Sequence, residues 1–167
     1  MNEDAKKTAL RMIPYGLYVL TAEGRDASVA AATVNWVTQA AFQPPLVAVG
    51  VKADSRSHAV IKERGVFALN VLGKGQAELA YRFFKPQERQ GDRIGGEPFE
   101  MSPLGAPLLT SAPAWVEVSL VDTVERGDHS VFVAEVTGAG VRAMPEGRPD
   151  EASLWLKDLG PKVFYGG

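Results

Sequence analysis

The 167-residue sequence contains no cysteine and only two histidines, His58 and His129. Without cysteine there can be no disulfide, no thiolate zinc site, no iron–sulfur cluster and no cysteine nucleophile. The histidines lie too far apart for a HExxH-type motif, and no metal site is expected. Charge of either sign is also not in surplus: 18 Lys and Arg stand against 20 Asp and Glu, a net of -2. That excludes a generic nucleic-acid or anionic-membrane surface, though a local basic pocket survives the sum. No apolar run approaches the ~18 residues of a membrane helix, and the opening MNEDAKKTAL lacks the apolar core of a signal peptide. There is no GxSxG, no GxxxxGK[ST], and no GxGxxG behind a strand. The expectation is a soluble, cytoplasmic protein with one domain over residues 1–167 and neither nucleic-acid nor membrane partners.

Apolar residues make up 46% of the chain, enough for a sizeable core. Glycine (17) and proline (11) favour many short elements joined by turns. Asp4 is placed to cap a short helix ending near Ile13 and closed by Pro14. Strands are predicted at Leu17–Thr21, Ser28–Val34, Leu46–Val51 and Val66–Leu72, the third entered through Pro44-Pro45. Between the last two, Asp54 or Ser55 caps a two-turn helix that Gly65 can end. A second helix spans about Gln76 to Phe84, where Leu79/Phe83 and Ala80/Phe84 fall at i, i+4 spacing. Residues 85–105 read as loop. Ala114–Val121 and Val131–Val136 alternate well around a charged, glycine-bearing turn, a further strand runs through Val141, and Ala152–Leu156 and Val163–Tyr165 are short final elements. Strands that follow strands, with few helices between them, predict a mainly β protein with short helices, best a barrel.

Three stretches carry chemistry. Ala32–Pro45 leaves one strand and re-enters another, and Thr33, Val34, Asn35, Trp36, Thr38, Gln39 and Ala41 lie along it. It can offer backbone N–H groups and short polar side chains to a planar, polar-edged ring, or it can be a plain strand corner with Trp36 in the core. Ser55, Arg56 and Ser57 bring two hydroxyls and a guanidinium to a helix start, where unpaired N–H groups suit a phosphate. Lys85, beside the Phe83-Phe84 pair, can add a cation there. Gly127-Asp128-His129-Ser130 sits between the two clearest strands, where a histidine can polarise a carbonyl, bind a phosphate or steer a proton. Asp128 is not expected to orient His129, because adjacent strand residues face opposite ways.

In order and spacing, these stretches resemble the flavin reductase-like family of FMN-binding split barrels. The likeness runs from the PxGxYVLT pattern at Pro14–Thr21 through Thr33–Val47, Ser55/Ser57, the FxxNVL strand at Phe67–Leu72 with Gln76 and Leu79-Ala80, to Gly127-Asp128-His129. The resemblance implies a six-stranded antiparallel split β-barrel, a homodimer, and flavin bound near the subunit interface: FMN, with FAD as a variant. It implies that the isoalloxazine and ribityl chain meet the Thr33–Ala41 segment, that the phosphate meets Ser55–Ser57 with Phe84 and Lys85 nearby, and that His129 lies on the nicotinamide side as the catalytic-site residue. Hydride would pass from NADH or NADPH to flavin, for delivery to a monooxygenase or electron-transfer partner. Such chemistry belongs to the cofactors and needs positioning more than an acid–base dyad. Trp36 departs from the small residue of many relatives and is expected beside the flavin or across the nicotinamide site. The Lys162–Gly167 ending departs from the Arg-Gly-Arg-Tyr-like one. Two other functions share this barrel: an FMN- or haem-binding carrier without nucleotide turnover, and a pyridoxamine-phosphate oxidase.

Overall fold

A computed structural model describes residues 1–167. The elements are α1 (Glu3–Arg11), β1 (Tyr18–Glu23), β2 (Val29–Val34), β3 (Val37–Ala41), β4 (Leu46–Lys52), α2 (Arg56–Arg64), β5 (Val66–Val71) and α3 (Ala77–Arg82). There follow β6 (Arg89–Gln90), β7 (Arg93–Ile94), β8 (Glu97–Met101), β9 (Pro107–Leu109), β10 (Ala114–Glu125), β11 (His129–Val141), α4 (Pro149–Ala152) and a 3-10 turn at Leu156–Leu159. No helix is long and apolar enough to cross a membrane.

The mainly β, antiparallel architecture with short helices is as expected, but the strand count is not. The main sheet has seven strands in the order β2-β1-β5-β10-β11-β4-β3, and a second sheet of four runs β6-β7-β8-β9. The additional strand of the main sheet is β3, expected as irregular chain because of its polar Thr38 and Gln39 and the prolines that follow. It pairs with β4 through a register shift between Gln39 and Ala41. The hydrogen-bonded ladder does not close: β2 and β3 are its two edges. Those edges are consecutive strands joined only by Asn35 and Trp36, so the sheet must curl until they meet there.

Curling is aided by β10 and β11, a hairpin of 12 and 13 residues with register breaks at Glu117/Val118 and Leu120/Asp122. Bulges of this kind bend a strand and increase its twist. They also interrupt alternation, which is why the sequence shows shorter strands and a separate one at Val141. Inside the curl lie Leu20, Val49, Ile61, Phe67, Val118 and Phe132. The other face of β1 and β5 packs Val19 and Leu72 against Phe83, Ile94, Leu109 and Leu154. Glycines and prolines in 85–105 serve turns between the short strands of the small sheet, correcting the loop expectation. Likewise, Ala152–Leu156 makes only single bridges, Ser153 to Gly73 and Trp155 to Gly16.

A buried amide helps to join the two sheets. Asn70 Nδ2 donates to Val19 O at 2.9 Å and to Thr21 Oγ1 at 3.0 Å, and its Oδ1 accepts from Leu109 N at 2.8 Å. Asn70→Ala would leave the Leu109 N–H buried and unpaired, so urea unfolding should show a loss of about 2–3 kcal/mol. A loss below about 0.5 kcal/mol, the level of an ordinary surface change, would contradict this linkage.

Candidate functional site

Helix α2 sets one end of the site. Ser55 is extended (φ -89°, ψ 155°) and its hydroxyl accepts from His58 N, while Gly65 ends the helix at φ 70°. Thus Ser55, not Asp54, is the cap. The N–H groups of Arg56 and Ser57 have no protein partner, the condition under which a helix start favours an anion. The turn before α2 is tied to β11 by Ala53 N donating to Asp128 O at 2.9 Å, and Lys52 lies opposite His129 in the ladder. The helix start and His129 are therefore neighbours.

The open edge of β2 sets the other side. Thr33 N donates to Phe83 O at 3.0 Å and Thr33 Oγ1 to Ala80 O at 2.8 Å. These bonds hold the end of α3, with Phe84 and Lys85 after it, beside the strand. Between these parts lies a cavity of about 730 Å³, within the range of small-molecule and cofactor sites. Its lining includes Thr33, Val34, Asn35, Ser55, Arg56, Ser57, Phe84, Lys85 and His129. Ala30, Ala31 and Ala32 of β2 also line it, and the lack of bulk along this stretch leaves room for a flat ring. The cations Lys52, Arg56 and Lys85 outnumber the carboxylates Asp54 and Glu88 on its walls. The free N–H pair, the neighbouring Arg56 and the small-residue stretch fit a phosphorylated planar cofactor.

Four expected residues are not on that wall. Thr38, Gln39 and Ala41 belong to β3, on the far edge of the sheet, and Trp36 stands behind the wall, not on it. A Cβ on Gly50 would fall 3.0 Å from Trp36 Cε3, so the missing side chain is what lets the indole pack on β4. Its ring lies 4.6 Å from the His129 ring and 5.3 Å from that of Tyr165. Trp36 Nε1 is buried without a hydrogen-bond partner.

His129 is held from both sides. Its Nδ1 is 2.9 Å from Asp128 Oδ1 and its Nε2 is 2.7 Å from Tyr165 Oη. The expectation that Asp128 would face away is corrected: Asp128 lies in the turn before β11 begins, where strand alternation does not apply. The hydrogen bond from His129 holds the Asp128 carboxyl below the usual aspartate range, while burial raises the Tyr165 phenol. An ionised carboxylate and a protonated phenol together select the Nδ1–H tautomer, with Nε2 accepting from Tyr165.

Sequence reasoning missed the contribution of the C-terminal segment. Val163, Phe164 and Tyr165 line the cavity, and the one available signal was the aromatic pair ahead of two glycines.

A profile of the "Flavin reductase like domain" matches residues 10–159. The chain is 32% identical over 150 residues to the NADH-dependent flavin reductase StyB of Pseudomonas fluorescens, covering 90% of this chain and 84% of that one. It is 30% identical over 133 residues to the stachydrine N-demethylase reductase subunit of Rhizobium meliloti, covering 80% of this chain and 56% of the other. The chain spans about half or less of the length of the first curated relatives it matches. Among solved structures, an NADH:FAD oxidoreductase of Streptomyces globisporus in complex with NAD and FAD fragments superposes with a TM-score of 0.72 at 26% identity, covering 91% and 89% of the two chains.

Nitrogen-detected NMR of the imidazoles should find His129 as the Nδ1–H tautomer at neutral pH. Because hydrogen bonding to His129 lowers the Asp128 carboxyl, the Asp128–His129 hydrogen bond itself should persist on acidification until the pH falls through that lowered value. Asp128→Ala should weaken the tautomer preference. An Nε2–H form in the parent would contradict the arrangement.

Proposed function

The chain belongs to the flavin reductase-like domain family, and on that premise we propose that it is an NADH-dependent flavin reductase supplying reduced flavin to a monooxygenase. The observation that carries this reading is the single cavity whose walls join the α2 start, the alanine-lined edge of β2 and His129. A phosphorylated flavin is the ligand that uses all three. Its phosphate would take the Arg56 and Ser57 N–H groups, the Ser57 hydroxyl and the Arg56 guanidinium, with Lys85 adding charge. Its ring would lie along Thr33, Val34 and Asn35.

Flavin, when bound, supplies the ring that accepts hydride. The protein's own part is positioning: β2 backbone orients one ligand, His129 faces the other, and apolar walls exclude water. We read FMN as the preferred flavin, because the cationic end offers one phosphate site. FAD would extend its adenosine portion past the exposed Arg56 and Lys85. NADH is preferred over NADPH on the strength of the relatives' names.

The finer architecture belongs to the same proposal. Residues 1–167 act as one domain, the curled sheet works as a split barrel, and the protein is cytoplasmic and homodimeric. The edge strand β3, with Thr38, Gln39 and Ala40 exposed, and the 89% exposed Phe42 support the last point. A second copy over that edge would give Thr38, Gln39 and Ala41 a role near the subunit interface that one chain alone does not provide.

The test is an anaerobic visible spectrum of the protein with FMN, before and after NADH. Bleaching faster than that of free FMN by at least about tenfold, some 1.4 kcal/mol of barrier, is expected. A flavin band that NADH does not bleach would instead identify a carrier, and no bound flavin at all would end the proposal.

A further inference from the structure

Three polar groups around the cavity owe their present state to one short segment, Val163–Gly167. His129 Nε2 is bonded to Tyr165 Oη at 2.7 Å, and Asn35 Nδ2 donates to Tyr165 O at 3.4 Å. Trp36 Nε1, buried without a partner, lies under Gly166, whose Cβ position would be 3.6 Å from it. An indole N–H covered by backbone that gives it no acceptor is unfavourable. The covering segment is correspondingly lightly held. Beyond Val163 it makes no backbone–backbone hydrogen bond, and it has no regular structure. Gly160, Gly166 and Gly167 sit at φ 137°, 120° and 92°, conformations that only glycine adopts easily. Outside the cavity its fastening is Arg11, with Nε donating to Gly166 O at 3.3 Å and the guanidinium 4.2 Å from the Phe164 ring centroid.

We propose that Val163–Gly167 is a displaceable strap in which Tyr165 holds the place of the nicotinamide ring, so that the incoming nucleotide must lift it from His129, Asn35 and Trp36. The inference rests on the reductase reading and adds a residue that controls access to the same site. The chemistry matches on both sides. A carboxamide carries one acceptor oxygen and an NH₂ donor. With the strap lifted, Asn35 Nδ2 and Trp36 Nε1 are free donors, and His129 Nε2, in the Nδ1–H tautomer, is a free acceptor. Tyr165 mimics half of this set: its ring packs among Trp36 and His129 and its hydroxyl donates to Nε2, but it leaves the indole N–H unanswered. A ligand that answers all three gains over the strap, whereas the flavin end of the cavity, at α2, is untouched by the exchange.

The strap and its ligand therefore compete, and the competition is measurable without turnover. NAD+ is titrated by calorimetry into the FMN-loaded protein and into two variants. Tyr165→Phe removes the hydroxyl latch, and Arg11→Ala releases the strap from a point outside the cavity. Both should bind NAD+ roughly three- to tenfold more tightly, the span of about one hydrogen bond, with FMN affinity unchanged. In turnover the gain should appear as a lower KM for NADH, with kcat altered less than about twofold, because ground-state competition is what has been removed. NAD+ affinity unchanged or weakened in either variant overturns the strap. If the parent oxidises NADH in that case, the reductase reading stands without it. If neither the parent nor either variant binds NAD+, both fall.

Discussion

The two edges of the seven-stranded sheet are neighbours in sequence, and the two residues between them, Asn35 and Trp36, leave them nowhere else to go. From this joint follows the curl of the sheet, and from the curl the open edge of β2 that no strand covers. Helix α2 packs against β1, β2 and β4, bringing its N-terminus to that edge. The end of α3 is bonded to it through Thr33. The cavity is thus a consequence of how the sheet fails to close, which is a sturdier origin than a loop that happens to fold over a groove.

The cavity joins two kinds of chemistry. At the α2 end, unpaired N–H groups and cations favour a compact anion. On a neighbouring wall, His129 and Tyr165 group with Trp36 behind them, with ring centroids 4.6–5.8 Å apart. Between them the small side chains of β2 leave a flat space. No group is placed as a strong acid or base toward that space. Hydride transfer between two stacked rings asks for alignment above all, and the Asp128–His129 pair is an orienting device that leaves Nε2 as the nitrogen turned to the cavity.

Much of this was legible in the sequence because it rests on local chemistry. Ser55 and Gly65 mark α2 by capping rules, the alternation around residues 125–128 marks the long hairpin, and the resemblance to the family points to Thr33–Asn35, Ser55–Ser57 and His129. What was not legible depends on tertiary partners. Strand β3 is polar and borders prolines, and only its ladder with β4 makes it a strand. The pairing of Asp128 with His129 follows from where β11 starts, a boundary that sequence periodicity leaves loose by a residue or two. Tyr165 reaches His129 across 36 residues, and nothing in the spacing foretells that return. Trp36 is expected beside the flavin or across the nicotinamide site. How its indole is held depends on Gly50, where a missing Cβ makes room.

The central claim is that the phosphorylated end of a flavin sits at the start of α2 and its ring along β2. A diffraction structure of the FMN-loaded protein tests this directly. The phosphate is expected within hydrogen-bonding distance of the Arg56 and Ser57 N–H groups, at about 2.7–3.2 Å, with the ring against Thr33–Asn35 and its free face toward His129. A phosphate bound anywhere else, or a ring turned away from β2, would contradict the account at its root.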